Sequence, residues 1–125
     1  MIYPDNLKYT RDHEWLRAEG DEGVIGITAY AQKELGDIVF VDIDTEGETL
    51  AAGEKFGTIE AVKTVSDLYM PVGGKVLLVN TILEVAPETI NKDPYGEGWM
   101  VRIQLTNPAD LDGLMTAAEY RDIFD

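Results

Sequence analysis

Gly57-Thr-Ile-Glu-Ala-Val-Lys-Thr-Val-Ser-Asp-Leu-Tyr-Met-Pro-Val-Gly-Gly-Lys75 is the stretch that defines the expected fold most clearly. β-Branched and aromatic residues lie on both sides of its centre, and Pro71-Val-Gly-Gly74 follows the second run. This pattern favours a β-hairpin over a helix. We predict two strands joined by a tight turn, with Lys63 near its tip and with Gly57 and Gly73-Gly74 bounding the strands.

Lys63 would then point outward, with its amine free of the backbone hydrogen bonds of the hairpin. A lysine in such a turn is commonly only a solvated charge, and the alternative is an amine displayed for an enzyme to modify. Because an exposed lysine is mostly protonated, it suits enzyme-catalysed acylation better than unaided Schiff-base chemistry. Residue types alone leave both interpretations open.

The composition is that of a folded globular protein, with 45% hydrophobic and 27% charged residues. The length of 125 residues predicts one domain, residues 1–125. Ten basic residues against 24 acidic ones give a formal net charge of −14. Because that charge repels phosphate backbones and anionic lipid, we expect neither a nucleic-acid nor a membrane-surface role. The charge would suit partners with basic docking surfaces, or serve only solubility.

Cysteine is absent, which excludes disulfides, cysteine nucleophiles and thiolate metal sites. Any sulfur chemistry must therefore come from a group attached to the chain. Residues 1–6 lack the profile of a secretory signal, and no apolar run is long enough to span a bilayer. We expect a cytoplasmic protein, or one of the mitochondrial matrix if a transit peptide has been removed.

Short strands are predicted along most of the remaining chain. They are Leu7–Thr10, Glu14–Ala18, Val24–Thr28, Asp37–Ile43, Lys75–Asn80 and Trp99–Leu105. The middle of Asp37–Ile43 is apolar on both faces, which predicts a buried strand, and Lys75–Asn80 repeats that pattern. The match of Gly36–Asp42 with Gly74–Asn80 indicates either two similar β-motifs packed face to face or a chance similarity.

Small helices are predicted around these strands. Thr28 can cap a helix over residues 29–35 that ends at Gly36 in a left-handed conformation. Helical turns are expected near Pro87 and after Asn107-Pro108, and Thr116-Ala-Ala-Glu119 is a capping box that starts a terminal helix. We predict a mostly-β sandwich or flattened barrel with small peripheral helices and a C-terminal helix.

Self-contained catalytic machinery is not visible in the sequence. His13 is the only histidine, so it cannot form a multi-histidine metal site, and its simplest interpretation is an ordinary surface side chain. Gly96-Glu-Gly98 neither follows a strand nor opens a helix, so it is a turn and not a dinucleotide-binding fingerprint. An enzyme is the least expected class.

Several motifs, in order along the chain, resemble the H-protein family of the glycine cleavage system. They are Tyr9–Trp15, Val24–Thr28, Tyr30–Gln32, Leu35–Asp42, Phe56–Pro71 and Asn91–Trp99. The resemblance runs from about Leu7 to Tyr120. It implies a lipoyl-domain-like fold, the barrel-sandwich hybrid, and a carrier that bears covalent lipoic acid.

By this resemblance Lys63 is the lipoyl attachment site, because it lies where the family's Glu-Ser-Val-Lys-Ala pattern has its modified lysine. Glu60 is retained, whereas Ala61 replaces the usual serine and Thr64 the usual alanine. The resemblance also makes Gly57, Glu60 and Gly74 candidates for recognition by the lipoylating enzyme. If Gly73 or Gly74 has a positive φ, we expect its replacement by valine to reduce lipoylation.

The implied carrier passes the aminomethyl group of glycine between enzymes. A pyridoxal-phosphate glycine decarboxylase (P protein) would load it, a tetrahydrofolate-dependent aminomethyltransferase (T protein) would unload it, and dihydrolipoamide dehydrogenase (L protein) would reoxidise it. A lipoate ligase or a lipoyl/octanoyl transferase would attach the cofactor. The free carrier is expected to be a monomer.

We further hypothesise that Glu14 and Asp67, with His13 beside them, line a shallow cleft that receives the loaded ammonium. The alternative is that both carboxylates are solubilising surface charges. Two rival functions also stand: a relay that donates lipoyl groups to other acceptor proteins, and an interaction module in which Lys63 stays unmodified.

Overall fold

The computed structural model describes all 125 residues and contains nine strands, four α-helices and one 3-10 helix. The strands are β1 (Lys8–Tyr9), β2 (Glu14–Glu19), β3 (Glu22–Ile27), β4 (Ile38–Asp42), β5 (Thr49–Leu50), β6 (Lys55–Ala61), β7 (Val65–Tyr69), β8 (Gly74–Val79) and β9 (Val101–Leu105). The helices are α1 (Ala29–Leu35), α2 (Ile82–Val85), α3 (Thr89–Lys92), the 3-10 helix (Pro108–Gly113) and α4 (Ala117–Phe124). None of the helices combines the length and apolar character needed to cross a membrane.

Two antiparallel sheets form the framework. Six strands pair in the order β1-β2-β3-β9-β8-β5, and three pair in the order β4-β6-β7. One core cluster contains Leu16 and Ile103 from the larger sheet and Ile59 and Leu68 from the smaller one, so the apolar faces of the two sheets pack together. The predicted mostly-β sandwich is confirmed, and the two sheets do not close into a barrel.

A second apolar cluster lies on the other face of β2 and β3. It contains Trp15 and Val24, whereas their neighbours Leu16 and Ile25 belong to the core between the sheets. Because side chains of a strand alternate between faces, both faces of this hairpin are covered. The cover on the second face is α4, which contributes Tyr120 to the cluster.

The predicted hairpin is confirmed as β6 and β7. Glu60 pairs with Val65, and the Ala61 N–H donates to the Thr64 carbonyl across the turn (2.8 Å). Gly57 lies inside β6 and does not bound it. A Cβ there would lie 2.7 Å from Ile43 Cγ1. Only glycine fits, because the backbone at the end of β4 approaches this closely.

The prediction that residues 37–43 are buried on both faces is wrong. Val39 and Phe40 are 47% and 54% exposed, because β4 is an edge strand and only one of its faces meets the core. Residues 75–80 deviate in the same way, since Leu78 in β8 is 49% exposed. Apolar runs of this length occur in half-buried strands as well as in buried ones.

β4 and β8 nevertheless share a geometric irregularity. The pairing of β4 with β6 shifts between Ile38 and Phe40, and that of β8 with β9 shifts between Val76 and Leu78. These positions correspond when Gly36–Asp42 is aligned with Gly74–Asn80. The shared bulge favours two similar β-motifs over chance similarity.

The helix boundaries follow the predicted capping residues. Thr28 Oγ1 accepts from the Ala31 N–H (3.2 Å) at the start of α1, and the Thr116–Glu119 capping box starts α4. α1 ends at Gly36 with φ 79° and ψ −153°. The predicted left-handed helical conformation of Gly36 is therefore wrong in detail. Its backbone lies in another positive-φ region, which is adopted almost entirely by glycine.

Residues 99–105 alternate in the sequence, which predicts a strand with Trp99, Val101, Ile103 and Leu105 on one face and Met100, Arg102 and Gln104 on a wet face. β9 follows this pattern, with Val101, Ile103 and Leu105 buried and Arg102 half-buried between them. Met100 was expected on the wet face, but it precedes the strand and is buried in the core.

Candidate functional site

Lys63 is exposed in the turn between β6 and β7 and makes no salt bridge. The turn itself is held in place, because the Val62 N–H donates to the Asp37 carbonyl (3.1 Å) in the segment that follows α1. A Cβ on Gly36 would lie 3.7 Å from Lys63 Cε. The hairpin therefore presents a free amine from a fixed backbone, beside the end of α1.

A cleft of about 130 Å³ lies along the hairpin, next to the end of α1. Its walls come from the start of β2, from α1, and from both strands of the hairpin. The lining residues are Asp12, His13, Glu14, Ile27, Ala31, Glu34, Leu35, Ile59, Ser66, Asp67 and Leu68. The structure thus brings together His13, Glu14 and Asp67, the three residues predicted to share a cleft.

Glu14 lies at the closed side of this cleft and is only 1% exposed. Thr10 Oγ1 donates to its Oε1 (3.1 Å), and the Tyr69 N–H donates to its Oε2 (3.2 Å). Burial raises the pKa of Glu14 to about 8, although these two hydrogen bonds act in the opposite direction. Glu14 is therefore not a solubilising surface charge, and near neutral pH much of it is protonated.

His13 is half-buried and is not an ordinary surface side chain. Its φ is 68°, the only positive φ at a non-glycine residue. Its Nδ1 lies 2.7 Å from the Tyr120 hydroxyl, and its ring packs against Tyr30 and Phe124. Burial lowers its pKa, so the imidazole at this site tends to be neutral.

Asp67 lies at the open rim of the cleft, with its side chain 42% exposed. Lys55 Nζ lies 3.2 Å from its Oδ1, and the Tyr69 hydroxyl donates to its Oδ2 (3.4 Å). An exposed ion pair of this kind is weak, with a typical contribution of about 0.2–1 kcal/mol. The carboxylate can therefore exchange Lys55 for another cation at little cost.

The electrostatic character of the cleft is acidic throughout. Its four ionisable carboxyl groups belong to Asp12, Glu14, Glu34 and Asp67, and no lysine or arginine lines it. Since like charges disfavour an anion and opposite charges favour a cation, this arrangement suits a small positively charged group.

The predicted recognition residues are not gathered at one place. Glu60 is exposed near the end of β6, close in sequence to the turn that carries Lys63. Gly57 is buried in β6 at a position further from the turn, and Gly74 pairs with Leu105 in the other sheet. Both glycines instead permit close backbone approach.

Neither Gly73 nor Gly74 has a positive φ. The loss of lipoylation that we predicted for valine at a positive φ is therefore not expected at either glycine. Their surroundings differ, because a Cβ on Gly74 would lie 2.7 Å from the Gln104 carbonyl, whereas one on Gly73 would meet nothing closer than 3.6 Å. A side chain at Gly74 would force the backbone to move.

Several contributors to the site were missed in the sequence. Thr10 and Tyr69 hold the Glu14 carboxyl, and Glu34 supplies part of the acidic wall. Thr10 offered a weak signal, because it directly precedes the turn that leads to His13-Glu14. Tyr69 acts through its backbone N–H, for which side-chain patterns carry no signal.

A larger cavity of about 310 Å³ lies elsewhere, between β4, β8 and α2. It contains Phe40, Val79 and Leu83 but none of the predicted site residues. The smaller cleft is the better candidate because it holds the acidic groups and adjoins the lysine. No three or more histidine or carboxylate side chains, in this cleft or elsewhere, are arranged so that they could hold a metal ion.

Comparisons with known proteins all point to one family. The profile of the family described as "Glycine cleavage H-protein" matches residues 7–125. The chain is 60% identical over 123 residues to the glycine cleavage system H protein of Bacteroides fragilis, covering 98% of each chain. It is 55% identical to that of Salinibacter ruber over 123 residues, covering 98% of this chain and 99% of the relative.

A solved structure is also similar over nearly the whole chain. The crystal structure of a glycine cleavage system H protein from Mycobacterium marinum superposes with a TM-score of 0.86 and 43% sequence identity. The match covers 97% of this chain and 98% of the other.

Proposed function

This chain belongs to the glycine cleavage H-protein family and is a lipoyl carrier of the glycine cleavage system, and from this premise we propose that Lys63 bears the lipoyl group. The exposed amine, the absence of a salt bridge and the fixed turn support the proposal. When bound, a lipoyl disulfide supplies a sulfur that accepts the aminomethyl group of glycine. The lysine adds a long flexible stem and an amide link, and tethering raises the effective concentration of the sulfur at a docked enzyme.

As a member of this system the chain interacts with the other glycine cleavage components. We propose that these are glycine decarboxylase, the aminomethyltransferase and dihydrolipoamide dehydrogenase, and that a lipoate ligase or lipoyl/octanoyl transferase modifies Lys63. We also propose that the chain, as one domain, is a non-catalytic subunit, monomeric when free and located in the cytoplasm. Turnover of glycine by the pure protein alone would contradict this assignment.

The experiment that tests the attachment site is intact mass measurement with peptide mapping on protein from its native source. We expect one addition of lipoyl size, located on Lys63, because this lysine is displayed in the family's position. A bare Lys63 in native material with a competent lipoylation system would contradict the proposal and favour an interaction module.

We propose that the acidic cleft receives the ammonium of the loaded arm. Glu14 would contribute a buried carboxylate and Asp67 an accessible one at the rim, with His13 as a neutral neighbour. A cation beside Glu14 favours ionisation of the carboxyl, so entry of the ammonium would be coupled to release of the Glu14 proton. The partly dry cleft would also slow hydrolysis of the loaded group.

Substitutions in the cleft test this role. We expect Glu14→Gln to shorten the half-life of the loaded form by about tenfold and Asp67→Asn to shorten it by roughly threefold. The reason is that a hydrogen bond to a charged group contributes about 1.5–3 kcal/mol when it is buried and less when it is exposed. The half-life is measured by mass spectrometry after loading.

Glu48→Gln is the matched control, because Glu48 is an exposed carboxylate that does not line the cleft. Its half-life should equal that of the wild type. Unchanged half-lives in both cleft variants would show that the cleft does not hold the ammonium.

A further inference from the structure

We propose that the Tyr120 hydroxyl on α4 is a positioning group that holds two walls of the acidic cleft together, an inference that rests on the proposed function of that cleft. Tyr120 does not line the cleft. Its hydroxyl lies 2.7 Å from His13 Nδ1 and 2.9 Å from Thr28 Oγ1. His13 directly precedes Glu14, and Thr28 caps the helix that carries Glu34.

The three groups form a consistent chain of hydrogen bonds. The Ala31 N–H donates to Thr28 Oγ1, the threonine hydroxyl can donate to Tyr120, and the tyrosine hydroxyl can donate to an unprotonated His13 Nδ1. Every member then has a partner, and Tyr120 and Thr28 are fully buried. A fully satisfied buried network fixes the relative position of its members.

His13 needs such support because of its backbone conformation. A positive φ at a histidine is sparsely populated and persists only where surrounding contacts hold it. The Thr10 carbonyl and the Thr28 N–H bind the His13 backbone, while Tyr120 and Phe124 contact its ring from α4. These contacts set the direction in which β2 begins and therefore where Glu14 points.

The C-terminal helix thus acts on the cleft through residues far from it in sequence. Its own attachment is strong, because Tyr120 stacks on Tyr9 at 5.0 Å and packs edge-on against Tyr3 at 5.1 Å. Loss of the hydroxyl alone would leave this aromatic packing in place. The turn before β2 would then relax, and water would reach the Glu14 carboxyl.

Tyr120→Phe tests the proposal, with Tyr9→Phe as the matched control. Tyr9 is equally buried in the same cluster, but its hydroxyl donates to the Pro4 carbonyl and not to any group of the cleft walls. Two quantities are measured: the pKa of Glu14, by carbon-detected NMR of the unmodified chain, and the half-life of the loaded form.

We expect Tyr120→Phe to move the pKa of Glu14 from about 8 towards the usual carboxyl range. The half-life should fall by roughly three- to tenfold, because the buried hydrogen bonds of the hydroxyl to His13 and Thr28 are lost. Tyr9→Phe should change neither quantity. If Tyr120→Phe prevents folding, Phe124→Ala, near the chain end, removes the second α4 contact to His13 and should move both quantities in the same direction.

The outcomes separate this inference from the function on which it rests. Tyr120→Phe could shift the pKa of Glu14 while the half-life of the loaded form stays unchanged in both Tyr120→Phe and Glu14→Gln. That result would support the positioning role of Tyr120 and reject the role of the cleft in holding the ammonium. Equal behaviour of Tyr120→Phe and Tyr9→Phe in both measurements would overturn the positioning role.

Discussion

Replacement of Lys63 by arginine is expected to abolish lipoylation and, with it, all glycine-dependent release of carbon dioxide in a system reconstituted with the other glycine cleavage components. Arginine preserves the positive charge and the length of the side chain, but its guanidinium stays protonated and does not form the required amide. Because Lys63 is exposed and makes no salt bridge, the melting temperature should not change.

Lys33→Arg is the matched control, because Lys33 is an exposed lysine on the neighbouring helix α1. It should be lipoylated and active. Full activity of Lys63→Arg would place the lipoyl group on another residue. A lipoylated wild type that is inert with glycine, but donates its lipoyl group to other acceptors, would instead favour the relay function.

The hairpin and the helix caps could be predicted from the sequence because local residues determine them. Two β-rich runs around a short turn specify β6 and β7, and Lys63 lies at the tip for the same reason. The capping box of Thr116 and Glu119 is likewise contained within four residues. Such signals depend on backbone geometry over a few positions, which the sequence displays directly.

Exposure was harder to predict because it depends on what packs against a strand. Phe40 and Leu78 belong to apolar runs, yet both are half-exposed in the folded chain. Glu14 shows the reverse, since a glutamate in a polar motif is almost fully buried. Its carboxyl accepts from the backbone of Tyr69 in β7, which the chain reaches 55 positions later.

The support of His13 was also beyond local inference. Its hydrogen-bond partner Tyr120 is 107 positions away. The positive φ at His13 has only a weak signature in residue type, because histidine adopts such a φ more often than most residues but far less often than glycine. The motif around His13 and Glu14 indicated a site, but the arrangement of its two walls required the tertiary structure.

Burial of Glu14 should make the chain less stable as the pH rises. The pKa of Glu14 is about 8 in the folded chain, against 4.5 as its ordinary value, so the folded state binds more protons than the unfolded state between these values. Stability then falls with pH across this interval and levels off above about pH 8. The difference between these two pKa values lowers the free energy of unfolding by at most about 4–5 kcal/mol, at about 1.36 kcal/mol per pKa unit.

Urea unfolding of the wild type and of Glu14→Gln at several values between pH 5 and pH 9 measures this contribution. Glutamine keeps the shape and accepts from the Tyr69 N–H but does not ionise, so the variant should lose the decline, and its advantage over the wild type should grow up to about pH 8. Glu34→Gln, which replaces an exposed carboxylate of the same cleft, should follow the wild type. If the stability difference between wild type and Glu14→Gln stays constant with pH, Glu14 ionises as readily in the folded chain as in the unfolded one. The cleft would then hold a permanent carboxylate, whose charge does not depend on an arriving cation.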